Sequence, residues 1–133
     1  MKNNYNKLFT ELYIYYLAEE KIITFFDTDN DYYSYIDEKE VHLPTNYMYN
    51  ITEWSFFAYL HELGHIMTNT NRMKRYEQEY LATMWALERA KELKVKVSAR
   101  TIRIYQQYIF KWRETSIKLK AKNVCKKEAL VIK

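Results

Sequence analysis

One glycine and one proline in 133 residues constrain this chain more than anything else in it. Tight turns, bulges and collagen-like or low-complexity segments all draw on those two residues, so a turn-dense all-β architecture is excluded and a mainly helical one is expected. The chain is also a folding one. Hydrophobic residues make up 48% of it, 17% is aromatic, and 14 residues are tyrosine, which supplies one compact core and no more. A single domain over residues 1–120 is therefore expected, followed by a basic tail over residues 121–133.

Periodicity divides the chain. Residues 4–20 place Leu8, Leu12, Tyr15 or Tyr16 and Glu19 at helical spacing, widened by Tyr5, Phe9 and Tyr13. From Lys21 to Thr45 the pattern turns to short β-branched and aromatic runs, at residues 22–26, 32–36 and 41–43, separated by Asp-rich and Glu-rich turns. Two or three short strands are expected there, the last ended by Pro44. Helical spacing returns after Thr52 or Asn50, either of which can cap, and runs to Met67 before the Asn69-Thr70-Asn71 break. A further helix is read over residues 73–93. A last one opens at Ser98, with Ile102, Tyr105, Ile109 and Trp112 as its apolar stripe. The fold class is thus α+β, mainly helical.

Charge is uneven along the chain. Residues 98–133 hold ten Lys/Arg against two Glu, a net +8, and residues 1–97 hold eleven against fifteen acids, a net −4. A basic end can steer nucleic acid or an acidic partner, and Tyr108 and Trp112 lie among Arg100, Arg103, Lys111, Arg113, Lys118, Lys120 and Lys122. Lys-rich helix faces are more often solvated surface, so nucleic acid is not the favoured partner. One cysteine, Cys125, cannot form an internal disulfide, no run approaches a membrane span, and the first residues do not read as a secretory signal. A soluble cytoplasmic protein, of a bacterial cell or a phage-infected host, is the expectation.

His61-Glu62-Leu63-Gly64-His65 carries the chemistry. On a helix, i, i+4 spacing puts both imidazoles on one face, where they can share one metal ion with a carboxylate beside it. With three His and thirteen Glu in the chain, the pattern arises in roughly one shuffled sequence in two hundred, and it uses two of the three histidines. The only glycine lies inside this helix, where it costs about 1 kcal/mol against alanine, so close packing must want the missing side chain. A catalytic zinc takes three protein ligands and leaves a fourth position open. On the next helix Glu79 falls inside the apolar arc and Glu77 at its edge; Glu79 is the expected third ligand, Glu77 the alternative, and His42 a further candidate. Glu62 is the expected catalytic base. An oxyanion or substrate contact is sought in Tyr76, His42 or another tyrosine. An exposed strand edge between residues 22 and 43 can hold an extended substrate.

The His-Glu-Leu-Gly-His helix, followed by a helix opening Tyr76-Glu77-Gln78-Glu79-Tyr80-Leu81-Ala82, resembles the minimal gluzincin-type zinc metallopeptidases, particularly the ImmA/IrrE family of phages, mobile elements and bacterial stress loci. The resemblance spans residues 22–93. It implies an N-terminal helix and small sheet before the zinc helix, ligands His61, His65 and Glu79, Glu62 as base, one Zn2+ per chain, and a helix-turn-helix transcriptional repressor as the protein substrate. Two other readings stand beside it: a zincin-scaffold binding or inhibitor protein whose basic C-terminal helix takes nucleic acid or an acidic partner, and a helical structural protein with a coincidental motif. The pattern leaves the oligomeric state open.

Overall fold

The computed structural model describes residues 4–69 and 71–132, with side chains as far as residue 118. Four helices carry most of the chain: α1 (Tyr5–Glu20), α2 (Glu53–Thr68), α3 (Arg75–Glu92) and α4 (Ala99–Ile132). Between α1 and α2 lie three strands, β1 (Ile23–Thr28), β2 (Tyr33–Tyr35) and β3 (Glu40–Pro44), then a short 3-10 turn at Tyr47–Tyr49. The α+β, mainly helical class is the one observed. Among the described residues no helix is long and apolar enough to cross a membrane.

Local chemistry sets the boundaries. Thr52 and Ser55 form a reciprocal capping box at the start of α2, the Thr52 hydroxyl accepting from Ser55 N at 3.2 Å while Ser55 Oγ accepts from Thr52 N at 2.8 Å. Ser98 opens α4 in the same way, its hydroxyl accepting from Thr101 N at 3.2 Å, and its own N–H donates to Glu53 Oε1 at 3.0 Å. That last bond ties the start of α4 to the start of α2. With one glycine to spend, the chain puts Lys21, Lys39, Asn69 and Lys94 at positive φ, at helix ends and in the β2–β3 turn, where a glycine would sit without steric cost.

The sheet order is β1-β3-β2, with β3 parallel to β1 and antiparallel to β2. The last strand in sequence therefore lies in the middle, and β2 is an edge. The core forms where α1, α2 and the inner sheet face meet. Phe9 of α1 stacks edge-on against Tyr59 of α2 at 4.6 Å and lies 5.0 Å from Tyr47, while Val41 and Leu43 of β3 and Phe56, Leu60 and Leu63 of α2 are fully buried. Interlocked aromatic pairs of this kind add to the burial of their large apolar area.

α3 packs on α2 through small residues. Glu79, Ala82, Thr83, Ala86 and Ala90 are its buried positions, and Tyr80, which the helical period also puts on the apolar side, is half exposed. At 100° per residue this buried face is centred within about 10° of Glu79 itself. The rotation follows from Gly64: a Cβ built there would lie 2.6 Å from the Ala82 carbonyl oxygen, so the two backbones touch where only small residues fit. α4 runs past the end of its apolar stripe to Ile132, and its helix backbone extends through the basic tail. A Lys-rich segment without Gly or Pro is compatible with that. The side chains of Lys120 and Lys122 lie outside the described ones.

Candidate metal centre

α2 and α3 meet at three buried side chains. His61 and His65, one turn apart on α2, turn their Nε2 atoms towards each other at 3.1 Å, and Glu79 of α3 brings Oε2 to 2.8 Å from His61 Nε2 and Oε1 to 3.4 Å from His65 Nε2. A tetrahedral ion with bonds of about 2.0–2.1 Å needs donors about 3.3 Å apart, which is the scale found here. Two imidazole nitrogens that close also repel through their lone pairs unless a proton or a cation lies between them. His61, His65 and Glu79 form the one group among the described residues able to hold a metal ion with three such side chains. The donor set, two imidazoles and a carboxylate, fits a metal of zinc's type.

The surroundings orient these groups. Thr83 Oγ1, one turn beyond Glu79 on α3, lies 3.2 Å from His61 Nδ1; with the proton on Nδ1, that nitrogen donates to the hydroxyl and Nε2 keeps its lone pair for a metal. Burial alone would raise the Glu79 carboxyl, but the neighbouring His61 and His65 imidazoles hold it well below the usual range, so it stays an anion. Glu62 is 8% exposed, and burial pushes its carboxyl up against the opposing pull of the two imidazoles. Ser34 of β2 lies beside Glu62 and pulls its carboxyl the same way as the imidazoles.

A cleft opens on either side of this centre. One half, about 380 Å³, is lined by Tyr33, Ser34, Tyr35, Asp37, His65 and Gln78. The other is lined by Asp31, Trp54, His61, Ile104, Tyr105 and Tyr108, and Tyr32, Glu62, Arg75 and Glu79 are common to both. Edge strand β2 thus forms one wall and α4 closes the far end. The Tyr105 ring packs against His61 at 4.8 Å, and burial, then the Glu62 and Glu79 charges, push its phenol far up, leaving it a neutral donor at physiological pH.

Of the residues singled out from sequence, the structure brings together His61, Glu62, His65 and Glu79. It does not bring Glu77, Tyr76 or His42 to the centre. Glu77 is about 160° round α3 from Glu79 and lines a separate apolar groove with Tyr76, Met73, Tyr80 and Ile109. His42 is turned away by strand alternation, since Val41 and Leu43 face the core. On the outer face it lies between the rings of Phe25 at 5.0 Å and Tyr33 at 4.7 Å, with Tyr35 edge-on, Asp27 at 2.9 Å from Nδ1 and Glu40 at 3.1 Å from Nε2.

Although burial opposes it, the bonds to Asp27 and Glu40 raise the His42 pKa above 6.5. A histidine raised on folding adds stability that is full below its unfolded pKa and is lost as pH rises through its folded one. The protein should accordingly lose stability as pH climbs above 6.5, and His42→Gln should flatten that fall. Urea midpoints at pH 6 and 8, with an NMR titration of His42, check this; equal slopes in both proteins count against it.

Tyr105, Thr83, Arg75 and Ser34 escaped the sequence reading. Thr83 and Arg75 stand four residues after and before Glu79, a signal that is present once Glu79 is taken as the ligand. Ser34 is the polar residue of a Tyr-Ser-Tyr alternation. Tyr105 was read only as part of a core stripe. Compared with protein-family models, curated proteins and solved structures, the chain finds no match.

Proposed function

We propose that this protein is a zinc-dependent metallopeptidase that hydrolyses a peptide bond in a protein partner. The observation that carries the reading is the convergence of His61, His65 and Glu79 from two helices on one point, with the buried Glu62 carboxyl beside it in an open cleft. Zinc, when bound, supplies a Lewis acid that polarises a carbonyl and lowers the pKa of water. Glu62 takes a proton from water in the cleft and returns it to the amine nitrogen as the bond breaks, a task suited to a carboxyl raised by burial. The unpaired edge of β2 holds the substrate extended by backbone hydrogen bonds, and the neutral Tyr105 phenol donates to developing negative charge. The resemblance to the ImmA/IrrE family supports a helix-turn-helix repressor of a phage or mobile element as the substrate class and the bacterial cytoplasm as the place of action.

The test is cleavage of a denatured-protein digest and of repressor-like partners by the zinc-loaded protein, read by mass spectrometry. Glu62→Gln keeps all three ligands and removes the base, so turnover should fall by about 10²–10⁴ while zinc content stays at that of the parent. Undiminished turnover in that variant excludes Glu62 as base. Metal uptake without any cleavage would move the reading to a metal-holding binding protein.

A further inference from the structure

Arg75 is the first residue of α3, one turn before Glu79. Its Nε forms an ion pair with Glu79 Oε1 at 3.1 Å, while the other carboxylate oxygen, Oε2, faces His61 Nε2. The guanidinium lies over the Trp112 ring of α4, 5.2 Å from its centroid, and borders both halves of the cleft. An exposed i, i+4 ion pair of the ordinary kind does little. This one differs in two respects: its carboxylate is 6% exposed and belongs to the metal centre, and its guanidinium is pinned from another helix.

A carboxylate ligand left to itself can turn about its last bond and offer either oxygen, or both. Arg75 occupies Oε1 and so leaves Oε2 as the atom for the ion. Groups that fix ligands in this way typically change metal affinity by about 10–100-fold when removed. A guanidinium can lie over an indole ring while its charge pairs with a carboxylate, which a strongly hydrated ammonium does less well.

We infer that Trp112, Arg75 and Glu79 form a link through which the seating of α4 sets the metal affinity of the centre, with Arg75 as a positioning residue. Trp112 holds the guanidinium in place, and its charge holds the carboxylate. Movement of α4 away from α3 withdraws the ring, frees Arg75 to turn into solvent, where its side chain is already 56% exposed, and lets Glu79 rotate. A partner that grips α4 thereby loosens the ion without touching a ligand. This inference rests on the metal centre and not on peptide hydrolysis.

The experiment is a zinc dissociation constant for the full chain, by competition with a chromogenic chelator, for the parent, Arg75→Ala, Arg75→Lys, Trp112→Ala, Trp112→Phe and the Arg75→Ala, Trp112→Ala pair. Arg75→Ala should weaken zinc by about 10–100-fold, with the melting temperature of the metal-free protein unchanged. Arg75→Lys should recover only part of that, and Trp112→Phe, which keeps a ring, most of the parent affinity. The double variant should be no weaker than Arg75→Ala alone, since the ring acts only through the guanidinium. Parent-like affinity in Arg75→Ala, or additive losses in the double variant, overturns the link. A parent chain that takes up no zinc overturns the metal centre and the link together, whereas one that binds zinc and cleaves nothing overturns only the peptidase reading.

Discussion

Changing His61 and His65 together to glutamine is expected to abolish the stabilisation of this protein by zinc. A ligand that binds only the folded state stabilises it by RT ln(1 + [L]/Kd), about 2.7 kcal/mol at a hundredfold excess over Kd. Two of the three donors are lost, and one carboxylate on a helix holds zinc no better than any surface acid, so affinity should drop by about three orders of magnitude or more. Glutamine is the better replacement here, because the imidazoles fill a buried site and alanine would leave a cavity beside the Glu79 charge. Melting curves with and without zinc give the answer: a clear upward shift in the parent and none in the double variant. An equal shift in both proteins would place the metal elsewhere.

Gly64→Ala should destabilise the protein and loosen α3 from α2, even though alanine is the better helix former by about 1 kcal/mol. The added Cβ meets the Ala82 carbonyl oxygen at 2.6 Å and the Ala82 Cα at 3.1 Å, and both belong to backbone that no rotamer change can clear. α3 must back away from α2, and Glu79, three residues before the contact, moves with it. Overpacking against backbone costs about 1–3 kcal/mol or more, which outweighs the gain in propensity. The expected result is a net loss of stability by denaturant unfolding and weaker metal binding, because the histidines stay on α2 while the carboxylate leaves. A stabilised variant with intact metal binding would show that the helices have slack at this crossing.

The two expectations draw on different levels of information. The histidine pair was legible as soon as residues 61–65 were placed on a helix, because i, i+4 spacing is a local property. The capping residues Thr52 and Ser98 were legible for the same reason, and both make their expected hydrogen bonds. The glycine was legible as a costly residue in a helix interior that implied close packing; the partner, the Ala82 backbone eighteen residues further on, was not.

Glu79 stood between these cases. Its place on a buried arc followed from the helical period, but an arc drawn through Tyr76, Tyr80, Thr83, Ala86, Leu87 and Ala90 puts Glu79 about 50° off centre. Close backbone contact instead selects small residues, and the face seen in the structure centres on the carboxylate. His42 shows the opposite failure. A histidine near a metal motif invites a role at the site, yet alternation along β3 turns it outward to Asp27 and Glu40.

By itself the sequence determined the helical character of the chain, through the scarcity of glycine and proline. It also determined the segments where strands form and the face of α2 that carries both histidines, since each depends on residues within a few positions of one another. Tertiary structure decided the insertion of β3 between β1 and β2, the rotation of α3 that presents Glu79, and the arrival of Tyr105 and Trp112 from α4. Those outcomes rest on which surfaces can approach most closely, and close approach between distant segments leaves no period in the sequence to read.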